Sequence, residues 1–124
     1  MKETTQKKIL ILEDEKPLAH ALLLKLTHEG FEVVIADNGT AGLELLSKDT
    51  FDLILTDLII PGVDGFGILE SLHAKKVKTP VIVMTNLNQD EDKKKALDLG
   101  AASFFVKSNS TISEIVEGVK AQIK

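Results

Sequence analysis

Five short apolar runs recur along the chain, and they are rich in Ile, Val and Leu without alternating with polar residues. An unbroken run of this kind is typical of a strand that is buried on both faces, as in a parallel sheet covered by helices. A strand with one wet face would alternate instead. The predicted strands are residues 9–12, 33–36, 53–55, 81–84 and 104–106.

Between these runs lie amphipathic segments whose apolar residues recur every three or four positions, which is the spacing of one helix face. The clearest is the last, whose apolar face comprises Ile112, Ile115, Val116, Val119 and Ile123. Gly30 and Gly100 follow the first and fourth segments, where glycine commonly ends a helix. The predicted helices are residues 17–29, 40–48, 65–76, 90–99 and 111–123.

Five strands that alternate with five helices predict a (βα)5 fold of the α/β class. Short connections and right-handed crossovers leave few arrangements of such units, and a single doubly wound, open parallel sheet of five strands is favoured. An eight-stranded barrel needs about 250 residues, which this chain of 124 residues does not have.

Composition narrows the class of protein. With 44% hydrophobic and 27% charged residues, residues 1–124 are expected to form one globular domain, of which 1–6 are a flexible N-terminus. No apolar stretch approaches the roughly 20 residues that span a bilayer, so a cytoplasmic protein without a membrane partner is expected. The absence of Cys excludes disulfides and thiolate chemistry, and the net charge of −4 argues against nucleic acid as a direct partner.

Polar side chains directly follow four of the five predicted strands. In open α/β sheets, ligands bind outside the carboxyl ends of the strands, so these residues form the candidate site. They are Glu13, Asp14 and Glu15 after the first strand, Asp57 after the third, Thr85 and Asn86 after the fourth, and Lys107 after the fifth.

Acids that end neighbouring strands repel one another unless a cation lies between them. Oxygen-only ligands indicate a hard ion, and Mg²⁺ is favoured because it binds through one or two carboxylates and completes its shell with water and phosphate oxygens; Mn²⁺ could substitute. Asp57 would be a nucleophile toward phosphorus, with Lys107 and Thr85 supplying a cation and a hydroxyl donor. Each residue alone is most simply a helix cap or turn residue, and only their coincidence favours a functional site.

The sequence resembles the receiver domain of response regulators in two-component signalling, over nearly its whole length. Residues 9–15 look like the first strand and acidic cluster of that family, and residues 57–65 look like its phosphoacceptor segment with the following Pro and Asp-Gly turn. Residues 80–85 and 100–107 fit the remaining pieces in order and spacing. The resemblance implies a flavodoxin-like strand order of 2-1-3-4-5.

The resemblance also implies roles in the chemistry at the phosphoacceptor. Asp57 would be the phosphorylated aspartate. Asp14, Asp57 and the backbone carbonyl of Ile59 would bind Mg²⁺ directly, and Glu13 would act mostly through water. Such a domain catalyses its own phosphorylation and autodephosphorylation with Mg²⁺, so it is a signalling module with modest enzymatic capacity rather than a metabolic enzyme.

A second set of implied roles concerns the phosphoryl group and the switch. Thr85 and Lys107 would bind the phosphoryl oxygens, together with the backbone N–H groups of Ile59 and Asn86. Movement of Thr85 would free space for Phe104 and reshape the surface of the fourth helix and fifth strand. Phe104 and its neighbour differ in parity, so their side chains are expected to face opposite sides of the sheet.

Three residues depart from the usual pattern of the family. Glu13 stands where Asp is commonest, Asn86 stands where a small residue is usual, and Ser108 replaces a Pro. The sequence leaves both isomers of the Lys107–Ser108 peptide open. These departures are also the hints for an alternative function, a degenerate receiver that binds proteins without being phosphorylated.

Other α/β classes fit the residues less well. A flavodoxin would need a hydroxyl- and glycine-rich phosphate loop after the first strand, where this chain has acids. An aspartyl-phosphate hydrolase of the haloacid type would need an Asp-x-Asp pattern, which residues 13–15 do not supply.

The partners implied by the resemblance are a sensor histidine kinase or a histidine phosphotransfer protein. A homodimer through the fourth helix, fifth strand and fifth helix is a further expectation. The sequence leaves open a free-standing receiver and one cut from a longer kinase or regulator.

Overall fold

The structure, a computed structural model, describes residues 6–123. The predicted flexible N-terminus therefore lies outside the described residues except for Gln6, whose side-chain amide donates a hydrogen bond to the carbonyl of Gly30 at 3.0 Å. The strands are β1 (Lys8–Leu12), β2 (Glu32–Ala36), β3 (Leu53–Thr56), β4 (Val81–Thr85) and β5 (Ser103–Val106). The helices are α1 (Lys16–His28), α2 (Gly39–Lys48), α3 (Gly65–Ala74), α4 (Asp90–Asp98) and α5 (Ile112–Gln122).

All ten predicted elements are confirmed, with ends that differ by at most two residues from the predicted ones. Gly30 and Gly100 have φ angles of 98° and 109°, as expected for glycines that follow a helix. The sequence pattern did not predict the one-turn 3₁₀ helix at Lys107–Asn109, which directly follows β5. Within residues 6–123, no helix is both long and apolar enough to cross a membrane.

The five strands form one parallel sheet in the order β2-β1-β3-β4-β5. This confirms the doubly wound (βα)5 fold with the flavodoxin-like order. The strand order reverses between β1 and β3, which are paired with Leu12 opposite Thr56. Residues that follow these two strands therefore start from adjacent points at the carboxyl edge of the sheet.

Each face of the sheet has its own apolar core. Ile9 and Ile11 of β1 pack with buried residues of α1 and α5, whereas Leu10 and Leu12 pack with residues of α2, α3 and α4. Because alternate residues of every strand face opposite layers, the strands have no polar face. The two neighbouring phenylalanines of β5 follow this rule, with Phe104 in the α2–α4 layer and Phe105 in the α1–α5 layer.

Gly118 interrupts the apolar face of α5, and the contact with β5 explains it. A Cβ atom at this position would lie 2.7 Å from Cζ of Phe105. The helix therefore uses glycine where the aromatic ring of β5 approaches its backbone. A capping box of Thr111 and Glu114 stabilises the N-terminus of the same helix.

The segment after β3 is held against the start of α2. The amide of Gly39 donates to the carbonyl of Pro61 at 2.9 Å, and a Cβ atom at Gly39 would lie only 1.6 Å from the carbonyl oxygen of Val63. Gly62 has a φ angle of 78° and lies beside Thr40. This docking fixes the path of the chain that leads away from Asp57.

Candidate functional site

The polar residues that follow four strands come together at the carboxyl edge of the sheet. They line one open cleft at the point where the strand order reverses. Its lining residues are Asp14, Glu15, Asp57, Ile59, Thr85, Asn86 and Lys107. Glu13 is buried and forms an ion pair with Lys107 of this lining. The structure thus gathers all the strand-end residues predicted from the sequence.

Asp57 has a carboxylate whose orientation is fixed from two sides. Its Oδ1 accepts a hydrogen bond from the amide of Ile59 at 3.1 Å, and its Oδ2 lies 2.6 Å from the Nζ of Lys107. The backbone of Asp57 is held as well, because its amide donates to Leu12 at 3.1 Å and its carbonyl accepts from the hydroxyl of Thr56 at 2.9 Å. The side chain is only 7% exposed, at the floor of the cleft.

Lys107 reaches three carboxylates from the end of β5. Besides Asp57, its Nζ lies 2.8 Å from Oε1 of Glu13 and 3.4 Å from Oε2 of Glu15. Burial by itself would lower the pKa of Lys107, but the hydrogen bonds and negative charges of Asp57 and Glu13 outweigh it and raise the pKa above its ordinary value. The amine is therefore a fixed positive charge at the floor of the cleft.

Glu13 is completely buried, which is unusual for a carboxylate. Its Oε2 accepts a hydrogen bond from the amide of Glu15 at 2.9 Å, and its Oε1 faces Lys107. Burial is the main cause that raises the pKa of Glu13, and the opposing pull of Lys107 does not cancel it. Glu13 is thus a costly charge that the fold retains at the end of β1.

Three acids offer a set of oxygen ligands for one hard cation. One carboxylate oxygen from each of Glu13, Asp14 and Asp57 lies within 4.8 Å of the others. Asp14 is exposed to solvent, whereas the other two are buried. Oε1 of Glu13 is fully buried and pairs with the amine of Lys107 at 2.8 Å. A set of oxygen donors that includes two buried carboxylates with one lysine between them fits Mg²⁺ or Mn²⁺.

Of the remaining predicted residues, Thr85 and Ile59 line the cleft and Phe104 does not. Thr85 is fully buried, and its Oγ1 accepts a hydrogen bond from the amide of Leu87 at 3.3 Å. Ile59 is 58% exposed and presents an apolar side chain at the mouth. Phe104 is half-buried in the α2–α4 layer and is not part of the cleft lining.

Two contacts of the site were not predicted from the sequence. Glu15 joins the ion pairs of Lys107, and the only signal for this was its place in the run of three acids at 13–15. The side chain of Asn86 accepts a hydrogen bond from the amide of Ser108 at 3.0 Å. All peptide bonds among the described residues are trans, including the one between Lys107 and Ser108.

Comparison with known proteins points to one family. A family model described as the response regulator receiver domain matches residues 9–120. The chain is 36% identical over 116 residues to the uncharacterized transcriptional regulatory protein YkoG of Bacillus subtilis, and the alignment covers 94% of this chain and 50% of that protein. It is 38% identical over 117 residues to the response regulator ArlR of Staphylococcus saprophyticus, covering 94% of this chain and 52% of that protein. The chain thus spans about half the length of the curated relatives it matches.

Solved structures agree in fold. The receiver domain of the Francisella response regulator 1452 superposes with a TM-score of 0.90 at 27% identity, covering 95% of this chain and 97% of that one. A CheY-like response regulator receiver domain protein from Methanospirillum hungatei gives a TM-score of 0.89 at 27% identity, with 96% and 94% coverage. The receiver domain of a signal transduction histidine kinase from Syntrophus aciditrophicus gives 0.84 at 28% identity, with 94% and 89% coverage.

Proposed function

Because the chain belongs to the response regulator receiver domain family, we propose that it accepts a phosphoryl group on Asp57 in a Mg²⁺-dependent reaction. The donor is a phosphohistidine of a sensor histidine kinase or a histidine phosphotransfer protein, and the reaction takes place in the cytoplasm. The observation that carries this proposal is the carboxylate of Asp57 at the floor of an open cleft, oriented by Ile59 and Lys107 beside two further acids.

The proposed reaction transfers the phosphoryl group between two nucleophiles. A carboxylate oxygen of Asp57 attacks phosphorus and forms an O–P bond, while the N–P bond breaks and leaves its electron pair on the donor histidine. Fixing the carboxylate in advance lowers the entropic cost of this step. Hydrolysis of the resulting acyl phosphate by water would return the free carboxylate, which is the autodephosphorylation expected of the family.

Mg²⁺ would be held by Asp14, Asp57 and the backbone carbonyl of Ile59, with Glu13 acting through water, and Mn²⁺ could replace it. When bound, the ion supplies charge neutralisation for the acids and for the phosphoryl oxygens. Asp14 is suited to bind it from solution because its carboxylate is exposed, whereas buried Glu13 contributes charge from below.

The chain's own donors for the phosphoryl oxygens are a cation, a hydroxyl and backbone amides. The cation is Lys107, whose Nζ lies 2.6 Å from Oδ2 of Asp57. The Oγ1 of Thr85 is occupied as an acceptor by Leu87, so the hydroxyl proton remains to be donated into the cleft. The amides of Ile59 and Asn86 complete the proposed set of donors for the transferred group.

The proposed output is a change of surface around α4, β5 and α5. Phe104 lies on β5 two residues before the strand's end, and its half-buried ring packs in the layer that contains Leu87 of the β4–α4 loop. Movement of Thr85 toward a phosphoryl group would alter that loop, and the ring would follow. The same surface is the proposed site of partner binding and of a homodimer. The relatives named as regulators support a regulatory output of the whole protein.

Direct phosphorylation tests the proposal. The protein is incubated with acetyl phosphate and Mg²⁺, or with a phosphorylated histidine kinase, and the intact mass is measured. We expect one phosphoryl adduct that forms only with Mg²⁺ and is absent in Asp57→Asn. The adduct should be lost on treatment with acid or base, because both hydrolyse an acyl phosphate. The matched control is Asp98→Asn, which removes an exposed acid of α4 that pairs with Lys94 and leaves the cleft intact.

The control variant should be phosphorylated like the original protein. A protein that gains no adduct from either donor, or gains the same adduct in Asp57→Asn, would rule out Asp57 as the phosphoacceptor. Absence of both an adduct and saturable Mg²⁺ binding near Asp57 would instead favour the degenerate receiver as the function.

A further inference from the structure

Two of the residues that depart from the family pattern contact each other. The amide of Ser108 donates a hydrogen bond to the side-chain carbonyl of Asn86 at 3.0 Å. Asn86 directly follows β4, and Ser108 lies in the one-turn 3₁₀ helix that follows β5. The bond therefore joins two loops that both begin at the carboxyl edge of the sheet.

Both departures are needed for this contact. Proline has no backbone N–H, so the residue usual at position 108 could not donate. A small side chain such as Ala at position 86 carries no acceptor to reach the amide. If only one of the two departures were present, the hydrogen bond between positions 86 and 108 could not form.

The bond lies next to residues that line the cleft. Asn86 is the neighbour of Thr85, and Ser108 is the neighbour of Lys107, whose amine lies between Asp57 and Glu13. Thr85 is itself opposite Val106 in the pairing of β4 and β5. The hydrogen bond between Ser108 and Asn86 therefore connects β4 and β5 just beyond the last paired residues of the sheet, next to Lys107.

We infer that Asn86 is a positioning residue that acts through Lys107: its side chain holds the backbone of Ser108 so that the amine of Lys107 stays on Asp57. This inference rests on the proposed function, because it assigns Asn86 a part in phosphoryl transfer. The contact is exposed to solvent, so its effect should be that of one ordinary hydrogen bond, about three- to tenfold in rate.

The contact itself is tested without any phosphoryl donor. Asn86→Ala should speed amide hydrogen exchange of Ser108 by about three- to tenfold, while exchange of Leu87, which bonds to Thr85, should stay unchanged. Asn86→Asp keeps an oxygen acceptor in the same place and should preserve the protection of Ser108. Equal exchange of Ser108 in the original protein and in Asn86→Ala would overturn the inference.

The action through Lys107 is tested by comparing backgrounds. In the original protein, Asn86→Ala should slow phosphorylation of Asp57 by acetyl phosphate about three- to tenfold at saturating Mg²⁺. In Lys107→Ala the same substitution should have no further effect, because the amine it positions is gone. If the Lys107→Ala proteins react too slowly with acetyl phosphate to measure, a phosphorylated histidine kinase serves as the donor in both backgrounds.

Two results would overturn the positioning role. An equal slowing in both backgrounds would make Asn86 independent of Lys107, and a faster reaction in Asn86→Ala would mean that the side chain merely obstructs the cleft. Neither result touches the proposed function, which fails only if the original protein gains no adduct on Asp57.

Discussion

Lys107 is the only cation that contacts the two buried carboxylates of the site among residues 6–123. Glu13 and Asp57 lie at the ends of adjacent strands, so in the absence of metal their charges would repel one another. The amine lies between them at 2.8 and 2.6 Å and offsets that repulsion. We infer that Lys107 stabilises the metal-free fold in addition to its proposed part in binding the phosphoryl group.

Replacement of Lys107 tests this stabilising effect. Lys107→Met removes the charge but keeps an unbranched apolar side chain, so two buried carboxylates lose their partner. We expect the free energy of unfolding to fall by about 3 kcal/mol at pH 7 without divalent metal, the lower end of the cost of removing one partner from a buried ion pair. Urea unfolding in the presence of a chelator measures the change.

The matched control is Lys94→Met, which breaks an exposed i,i+4 pair with Asp98 at 3.1 Å. Such pairs contribute between about 0 and 1 kcal/mol, so the control should unfold almost like the original protein. Equal losses in the two variants would show that Lys107 has no special role as counter-ion. Addition of Mg²⁺ should reduce the loss in Lys107→Met, because the cation neutralises the same carboxylates.

Most residues of the cleft could be predicted because they directly follow strands. An apolar run marks where a strand ends, and the parallel sheet then dictates that Asp57 and Lys107 meet at one edge. Contacts that depend on the path of a loop leave no such signal. The ion pair of Lys107 with Glu15 and the hydrogen bond that the amide of Ser108 donates to Asn86 depend on the three-dimensional course of the loops. No periodicity in the sequence encodes that course.

At the scale of elements, the start of α2 determines where the segment after β3 can lie. Gly39 touches the backbone of Val63 so closely that no side chain fits, and Gly62 meets Thr40 from the other side. The loop that leaves Asp57 is therefore clamped on a helix that contributes no residue to the cleft lining. Rigid support of this kind keeps Ile59 in reach of the carboxylate of Asp57.

Gly39→Ala should disturb this support. Its methyl group would lie 1.6 Å from a backbone carbonyl oxygen, so the loop or the helix must shift. We expect a loss of about 3 kcal/mol or more in the free energy of unfolding, at the upper end of the cost of overpacking. We also expect slower phosphorylation of Asp57, since the loop holds Ile59. Chemical unfolding and the adduct assay measure the two effects.

Gly67→Ala is the control for the glycine substitution. Its only contact under 3.0 Å would be with a side-chain methyl of Val63 at 2.6 Å, which can move, and it would lie at an ordinary 3.5 Å from Oδ1 of Asp64. Alanine also favours the helix. This variant should lose much less stability than Gly39→Ala. If the two substitutions have equal effects, the close approach of Gly39 to Val63 is not what restrains the loop.

Glu29, which directly follows α1, forms an ion pair with Lys120 of α5 at 3.1 Å. The hydrogen bond and charge of Lys120 lower the pKa of Glu29 below its ordinary value. A carboxyl group with a lowered pKa in the folded state adds stability above its unfolded pKa and loses it as the pH falls through the folded pKa. The stabilisation should therefore be fully present at pH 7 and decline as the pH falls below the ordinary pKa of a Glu side chain, about 4.3.

Glu29→Gln provides the corresponding measurement. The variant should be less stable than the original protein at pH 7, and the difference should shrink as the pH falls from 5 to 3. Glu117→Gln is the control, because Glu117 contacts the same lysine at 3.5 Å from within α5 and joins no second helix. A difference for Glu29→Gln that does not depend on pH would exclude the ion pair as its cause.

At the scale of the whole molecule, the fold could be predicted almost completely from the sequence, because the strands are continuous apolar runs and most of the helices have an apolar face. α4, in which only Ala96 is buried, is indicated instead by its first acids and by the Gly100 that follows it. Two layers of helices on one parallel sheet follow from these patterns. The one-turn helix at Lys107–Asn109 could not be predicted, since three polar residues carry no periodic signal. Gly118 in α5 is explained only by the ring of Phe105.

Folding of the sheet brings the carboxylates of Glu13, Asp14 and Asp57 together at one edge, where they repel one another. A cation bound there would offset this repulsion, so metal binding and folding should be coupled. Mg²⁺ that binds only the folded state raises the free energy of unfolding by about 2.7 kcal/mol at one hundred times its Kd. We expect this gain in the original protein and in the control Asp98→Asn, and expect it to be lost in Asp14→Asn, which removes the exposed ligand. Thermal unfolding over a Mg²⁺ titration measures the gain. An equal gain in Asp14→Asn would show that the stabilisation does not come from an ion bound at Asp14. General ionic effects would act on all three proteins alike.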